Sequence, residues 1–377
     1  MRKLKHILLT VLAIFALSVP LAGVVGHAGN VQAATKSSQT ITIKDEAGDT
    51  VKVPKHIKRI AVASLYPLPS VLAVFFNSAD KIVGMPDISM TAAKNGLLSD
   101  LYPSILKAKT SFVKGTTINT EELKKLHPDV VFYNAETVQQ KKQLQNAGFT
   151  AVGVSTSKWH YDSIVTLNHW ISLLSKMFPQ NKTRATTVKN YSNQVYNRVQ
   201  KRVKNISPAK QQKLFFLFQY SDSAITTAGK NAFGQYWAKA IGAKNVSQSM
   251  TAPNDATVNM EQIYKWNPDK ILITNFNAAQ PSDLYNNKIG NYDWSKLSAV
   301  KNKEVTKMPL GMYRSYTPGV DTPITLLWLA KTVYPKQFKD VNITKETKQY
   351  YKKVFDVKLT TKQAQKIFKP SSAAAAF

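Results

Sequence analysis

Residues 181–206 read NKTRATTVKNYSNQVYNRVQKRVKNI, and the apolar members Val188, Tyr191, Val195, Val199, Val203 and Ile206 recur at steps of three or four. That spacing puts them on one face of a helix. No Gly or Pro interrupts the stretch before Ser207-Pro208, so about 25 residues at 1.5 Å each predict a rigid rod of roughly 35 to 40 Å. A rod of that length, polar on its other faces, predicts a folded body at either end.

The bodies show themselves as a repeat. Residues 118–132, INTEELKKLHPDVVF, lie before the rod and residues 258–272, VNMEQIYKWNPDKIL, lie after it at a constant offset of 140. Asn119 matches Asn259, Glu121 matches Glu261, Lys125 matches Lys265, and Pro128-Asp129 matches Pro268-Asp269. In each copy an Asn caps a helix, Glu122 or Gln262 stands three residues on as the capping-box partner, and Pro-Asp stops the helix before a short apolar strand. The chain is read as α/β, two duplicated lobes with parallel-sheet βα units joined by one long helix and a ligand cleft between them.

The first residues, MRKLKHILLTVLAIFALSVPLAGVVG, combine Arg2, Lys3 and Lys5 with an apolar core and a Val31-Gln32-Ala33 cleavage pattern, which reads as a secretory signal over residues 1–33. The alternative, an uncleaved anchor helix, is opposed by Pro20 and several Gly in the apolar run. Removal of 33 residues from 377 leaves enough chain for two substantial cores. The chain has no cysteine, which excludes disulfides, thiolate metal sites, a Cys nucleophile and a lipoprotein's acylated cysteine. The formal charge of +29 falls to +26 on cleavage, because the segment carries three basic residues and no acid. Lysines spread along an exported chain without a recognition motif argue against nucleic acid and for an anionic cell envelope as the counter-surface.

After a polar linker (34–39), residues 40–53 alternate like a hairpin around Glu46-Ala47-Gly48-Asp49. Strand and helix then alternate to residue 180, the predicted end of the first lobe; the rod takes 181–206 and the second lobe 207–320. Residues 321–370 read as closing helices, the first stopping at Tyr334-Pro335. The low-complexity end SSAAAAF, 371–377, predicts a frayed, disordered tail.

The blocks TITIKDEAGDTVKVPKHIKRIAV, DKIVG, NTEELKKLHPDVVF, LSKMFPQNKTRA, VNMEQIYKWNPDKILI, WSKLSAVKNKEVTKMPLGMY and LLWLAKTVYPKQF resemble, in this order, the substrate-binding proteins of ABC importers for iron complexes, the siderophore, haem and cobalamin group. The resemblance covers about residues 40 to 370. It implies two lobes, little hinge motion, and delivery of a chelate to a membrane permease. It also implies one docking glutamate per lobe in the block before Pro-Asp, here Glu121 and Glu261. The chain departs from the family in lacking a lipidated cysteine. The family shares no ligand motif, so ligand contacts are not carried over.

Ligands of open parallel sheets bind beyond the carboxyl ends of the strands. The loops there offer Tyr66, Met85, Asn134, Trp159, His160 and Tyr161 in the first half and Tyr220, Asn275, Phe276, Tyr313, Arg314 and Tyr316 in the second. Of these, Tyr66, Trp159, His160, Tyr161, Tyr220, Tyr313, Arg314 and Tyr316 are the candidate ligand contacts. Rings that stack and a guanidinium that pairs with an acid suit a bulky, partly aromatic, anionic chelate such as a ferric siderophore or haem. Six His without ligand spacing predict no resident metal and no intrinsic cofactor. No Gly-rich phosphate loop, nucleophile elbow or H-E-x-x-H appears, so no catalytic residue is expected. A cobalamin-type chelate, or a basic surface adhesin without transport, are the alternatives.

Overall fold

The computed structural model describes residues 39–252 and 255–375. The expected signal segment and nearly all of the linker lie outside the described residues. Glu46-Ala47-Gly48-Asp49 closes the expected hairpin, Thr40–Lys44 paired antiparallel with Thr50–Pro54.

Two four-stranded sheets follow, each wholly parallel. In the first, Ile60–Val62 lies between Ile82–Gly84 and Val130–Asn134, and Ala151–Val154 takes the far edge. In the second, Lys213–Leu217 lies between Lys244–Asn245 and Lys270–Ile273, with Val305–Lys307 at the edge. Counted within its own half, each sheet runs 2-1-3-4. Both faces are covered, which is why VVF and ILI are uninterrupted apolar runs, all fully buried.

The duplication extends to single bonds. Asn119 accepts from the amides of Glu121 and Glu122 at 3.1 Å, and Asn259 from that of Gln262 at 2.8 Å. The residues before the two prolines, His127 and Asn267, both take positive φ, 43° and 40°, the left-handed turn that commonly ends a helix, and the proline after each keeps the helix from resuming. Asp129 then accepts from the amides of Lys58 and Arg59 at 2.6 and 2.8 Å, and Asp269 from that of Lys213 at 2.8 Å. In return, the Arg59 guanidinium donates to the Leu126 carbonyl, and Lys213 Nζ to that of the matching Trp266. Both acids thus lock a helix end to the entrance of the sheet's first strand. The capping box differs from expectation: the Glu122 carboxylate pairs with Lys125, and reciprocal boxes close Pro281–Tyr285 and Thr361–Lys366 instead.

The connecting helix is Thr183–Val203, 21 residues, about 32 Å long at 1.5 Å per residue. It is shorter than expected because Asn181 belongs to a separate turn, Pro179–Asn181, and Ile206 follows the helix end. Its stripe is shared between two cores. Val188 packs with the first half, Val195, Val199 and Val203 with the second, and Tyr191 touches both. The closing helices bind the halves further together: Thr322–Val333 sends Ile324 into the first core and Leu326, Leu327 and Leu329 into the second. Tyr350 and Tyr351 of Ile343–Phe355 are fully buried in the first core. Residues of Gln39–Phe377 accordingly cluster as one compact unit.

The described part of the expected tail, residues 371–375, also differs from expectation; residues 376 and 377 lie outside the described residues. Ser372–Ala375 forms a short 3-10 turn, with Ala374 and Ala375 buried. Among the described residues no helix is long and apolar enough to cross a membrane.

Candidate ligand-binding cleft

A 2-1-3-4 parallel sheet has its switch point between strands 1 and 3, where the flanking connections leave in opposite directions and open a crevice. In the second half the loops at that point carry Phe218, after Leu217, and Phe276, after Ile273. Their rings stack at 4.9 Å. The loop after Lys307 adds Tyr316, whose ring lies 5.5 Å from Phe218, 6.4 Å from Phe276 and 6.1 Å from Phe233. Tyr316 is fixed at both ends, its hydroxyl accepting from the Gly234 amide at 3.0 Å and its carbonyl from Trp237 Nε1 at 2.8 Å.

The first half supplies two more rings. Tyr161 meets Phe233 edge-on at 5.3 Å, and Tyr66 packs on the same cluster. His160 and Tyr161 are consecutive left-handed residues, φ 53° and 61°, a conformation that costs side-chain-bearing residues about 1 kcal/mol or more each. The strained turn aims Tyr161 across to the second half. Burial pushes the hydroxyls of Tyr66 and Tyr161 up, with Asp87 adding to the first and Glu136 to the second.

Arg314 is 1 % exposed, its guanidinium 4.8 Å from the centre of Phe276. Nε and Nη2 donate to the Ala374 carbonyl at 3.2 and 2.7 Å. Tyr313 beside it is buried, which drives its hydroxyl well above the ordinary range. Lys307, on the core-facing side of its strand, donates to the carbonyls of Asn277 and Ala279 at 2.6 and 2.7 Å. Burial, then the Arg314 charge, lowers it to about 7. The loop carrying these groups is pinned to the first half where the Leu97 amide donates to the Gly311 carbonyl at 2.9 Å. Two glycines permit this approach. A Cβ on Gly96 would stand 2.5 Å from the Gly311 carbonyl, and one on Gly311 only 2.2 Å from the buried Asp321 carboxylate.

The structure therefore brings together Tyr66, Tyr161, Tyr313, Arg314 and Tyr316, and leaves the other candidates elsewhere. Trp159 stacks flat on His169 at 4.0 Å. With exposed His160 it lines a separate cavity of 440 Å³, shared with Tyr196, Lys230 and Lys239. Tyr220 sits in a short antiparallel strand and packs against the outer core of the second half. Glu121 and Glu261 are exposed in the first turns of their helices. Sequence reasoning missed Phe218, Phe233 and Lys307. Phe218 looked like the end of the apolar run KLFFLF, and Phe233 like an ordinary helix residue. A signal for Lys307 was present, since it shares a strand face with Val305. Among the described residues no group of three or more His, Cys, Asp or Glu could hold a metal ion.

Residues 62–310, well over half of the chain, match the family model described as periplasmic binding protein. The chain belongs to that family. It is a solute-binding protein of an ABC transporter, a class that works outside the cytoplasm. Among its relatives, the molybdate-binding protein MolA of Haemophilus influenzae is 24% identical over 333 residues, 83% of this chain and 90% of MolA. A periplasmic solute binding protein from Veillonella parvula superposes with a TM-score of 0.77 at 27% identity, covering 88% of this chain and 97% of the other. CeuE of Helicobacter pylori, in a Ni-His complex, superposes at 0.68 with 22% identity, covering 87% and 98%.

Proposed function

We propose that this solute-binding protein captures an iron chelate, a ferric siderophore or haem, and hands it to the permease of its importer. The observation that carries the reading is the ring cluster shared by the two halves, Tyr66 and Tyr161 against Phe218, Phe233, Phe276 and Tyr316, beside buried Arg314. Rings offer faces to a flat or aromatic chelating shell, and the guanidinium offers a fork to its acid groups. An oxyanion as small as molybdate needs converging N–H and O–H donors and gains little from aromatic faces. A metal presented inside an organic shell also accords with the nickel–histidine complex of CeuE.

The second reading is molybdate. It is favoured by the name of MolA and by two neighbouring buried cations, Lys307 and Arg314. Calorimetric titration with haemin, ferric tris-catecholate, cobalamin and molybdate separates the readings. Saturable binding of haemin or the ferric catecholate is expected. Binding of molybdate alone would remove the iron reading, and binding of none would favour a surface adhesin.

Docking to the permease is assigned to Glu121 and Glu261. Each is an exposed carboxylate at the same place of a duplicated helix, and such a pair sets orientation more than raw affinity. Either acid would also offset its helix dipole unaided, by about 0.3 to 1 kcal/mol. Glu121→Lys with Glu261→Lys is expected to leave folding and solute affinity intact and to abolish uptake by cells. Normal uptake would return both residues to helix capping.

A further inference from the structure

The segment at the end of the described chain meets Arg314, the guanidinium beside the aromatic cluster. Arg314 gives two N–H bonds to the Ala374 carbonyl. From the other half, Asn95 Nδ2 donates to the Ala373 carbonyl at 3.3 Å. Ala374 is fully buried and Ala375 is 7 % exposed, although neither has more than a methyl group to bury. Ser371 shapes the turn, its hydroxyl accepting from the Ala373 amide at 3.2 Å and its carbonyl from the Ala374 amide at 3.3 Å. The segment thus spans from the helix Asp87–Asn95 of the first half to the Arg314 loop of the second.

We infer that residues 371–375 are an internal strap that occupies Arg314 and yields it to an acid group of an incoming solute. The inference rests on the cleft being the solute site. Its chemistry follows from the partners. A neutral carbonyl held by two N–H groups imitates half of a carboxylate, but a charged acceptor makes hydrogen bonds roughly twice as strong. A tethered carbonyl nonetheless competes at a high effective concentration, so solutes lacking an acid at the right place cannot displace it. Alanine methyls anchor the segment weakly enough to release. The strap is therefore a selectivity filter for anionic chelates, and its seating ties the two halves together.

The test compares the intact chain with one ending at Pro370, and with the pair Asn95→Cys and Ala373→Cys. The chain has no other cysteine, so that pair alone can lock the strap. Against haemin and ferric tris-catecholate, the shortened chain is expected to bind at least tenfold more tightly than the intact one. The oxidised pair should bind at least tenfold more weakly, with recovery on reduction. Equal affinities across all forms would overturn the strap. Weaker binding by the shortened chain than by the intact one would also overturn the strap. If neither the intact nor the shortened chain binds either chelate, the iron reading falls, and the strap is judged by hydrogen exchange of the intact chain. Slow amides at 372–375 that become fast in Arg314→Ala would uphold it. Amides already fast in the unaltered chain would overturn it.

Discussion

Tyr316 holds the ring cluster of the proposed cleft by two separable means, its ring and its hydroxyl. The ring faces Phe218, Phe233 and Phe276, whereas the hydroxyl satisfies the Gly234 amide. Tyr316→Phe keeps the first and leaves a buried N–H without its partner, so stability should fall by about 1 to 2 kcal/mol while chelate affinity stays near the unaltered value. Urea unfolding alongside titration checks both halves of that expectation. Glu46 gives a pH signature. Burial, opposed by the Ser155 amide and aided by nearby Glu136, raises its carboxyl from 4.5 to about 8. The folded protein then holds a proton that the unfolded chain has lost, so this contribution to stability is full below about 4.5 and disappears as pH rises through 8. Glu46→Gln should flatten the decline in melting temperature between pH 5 and 8. An unchanged slope would mean that Glu46 ionises normally.

At the scale of elements, the duplicated clasp explains why Pro-Asp recurs. Asp129 fixes two amides at the entrance of Ile60–Val62 and Asp269 fixes one at Lys213–Leu217. Asp129→Ala should cost about 2 kcal/mol, in the range for hydrogen bonds to a charged acceptor, with solute affinity unchanged because the clasp stands at the strand end opposite the cleft. Loss of binding without loss of stability would contradict that placement. These elements were legible in the sequence because each carries a local signal: an Asn cap, a proline stop, an apolar run, a stripe at helical spacing. The return bond of the capping box was not legible. Lys125, one turn on, competes for the Glu122 carboxylate, and sequence alone does not rank a charged partner against a backbone amide.

Over the whole molecule, charge and connection set behaviour. The strongly basic chain, +29 in full and +26 if residues 1–33 are removed, should show steeply salt-dependent retention where an anionic envelope holds it, because the Debye length shrinks from about 10 Å at 0.1 M to about 3 Å at 1 M. A high-salt wash of cells is expected to release the protein. Material that stays in the membrane pellet with residues 1–33 attached would instead indicate an anchor. The connection between halves is broader than one helix. The helices Thr322–Val333 and Ile343–Phe355 carry side chains into the first core, and Leu97 is bonded to Gly311. These ties oppose large hinge opening.

The sequence by itself determined the duplicated α/β architecture, the helix that links its halves, and the strand ends from which the cleft residues come, because each depends on neighbours within about a turn or a strand. Only the tertiary structure decided which of those residues meet. Tyr161 reaches Phe233 through a left-handed turn that no motif announces, and Trp159, two residues earlier, turns away to stack on His169. The seating of Ala374 on Arg314 joins positions 60 residues apart and that of Ala373 on Asn95 joins positions 278 apart. A run of serine and alanine has no periodicity or charge to foretell such contacts. Their existence depends on donors, buried Arg314 and half-buried Asn95, that come into place only when both halves are folded.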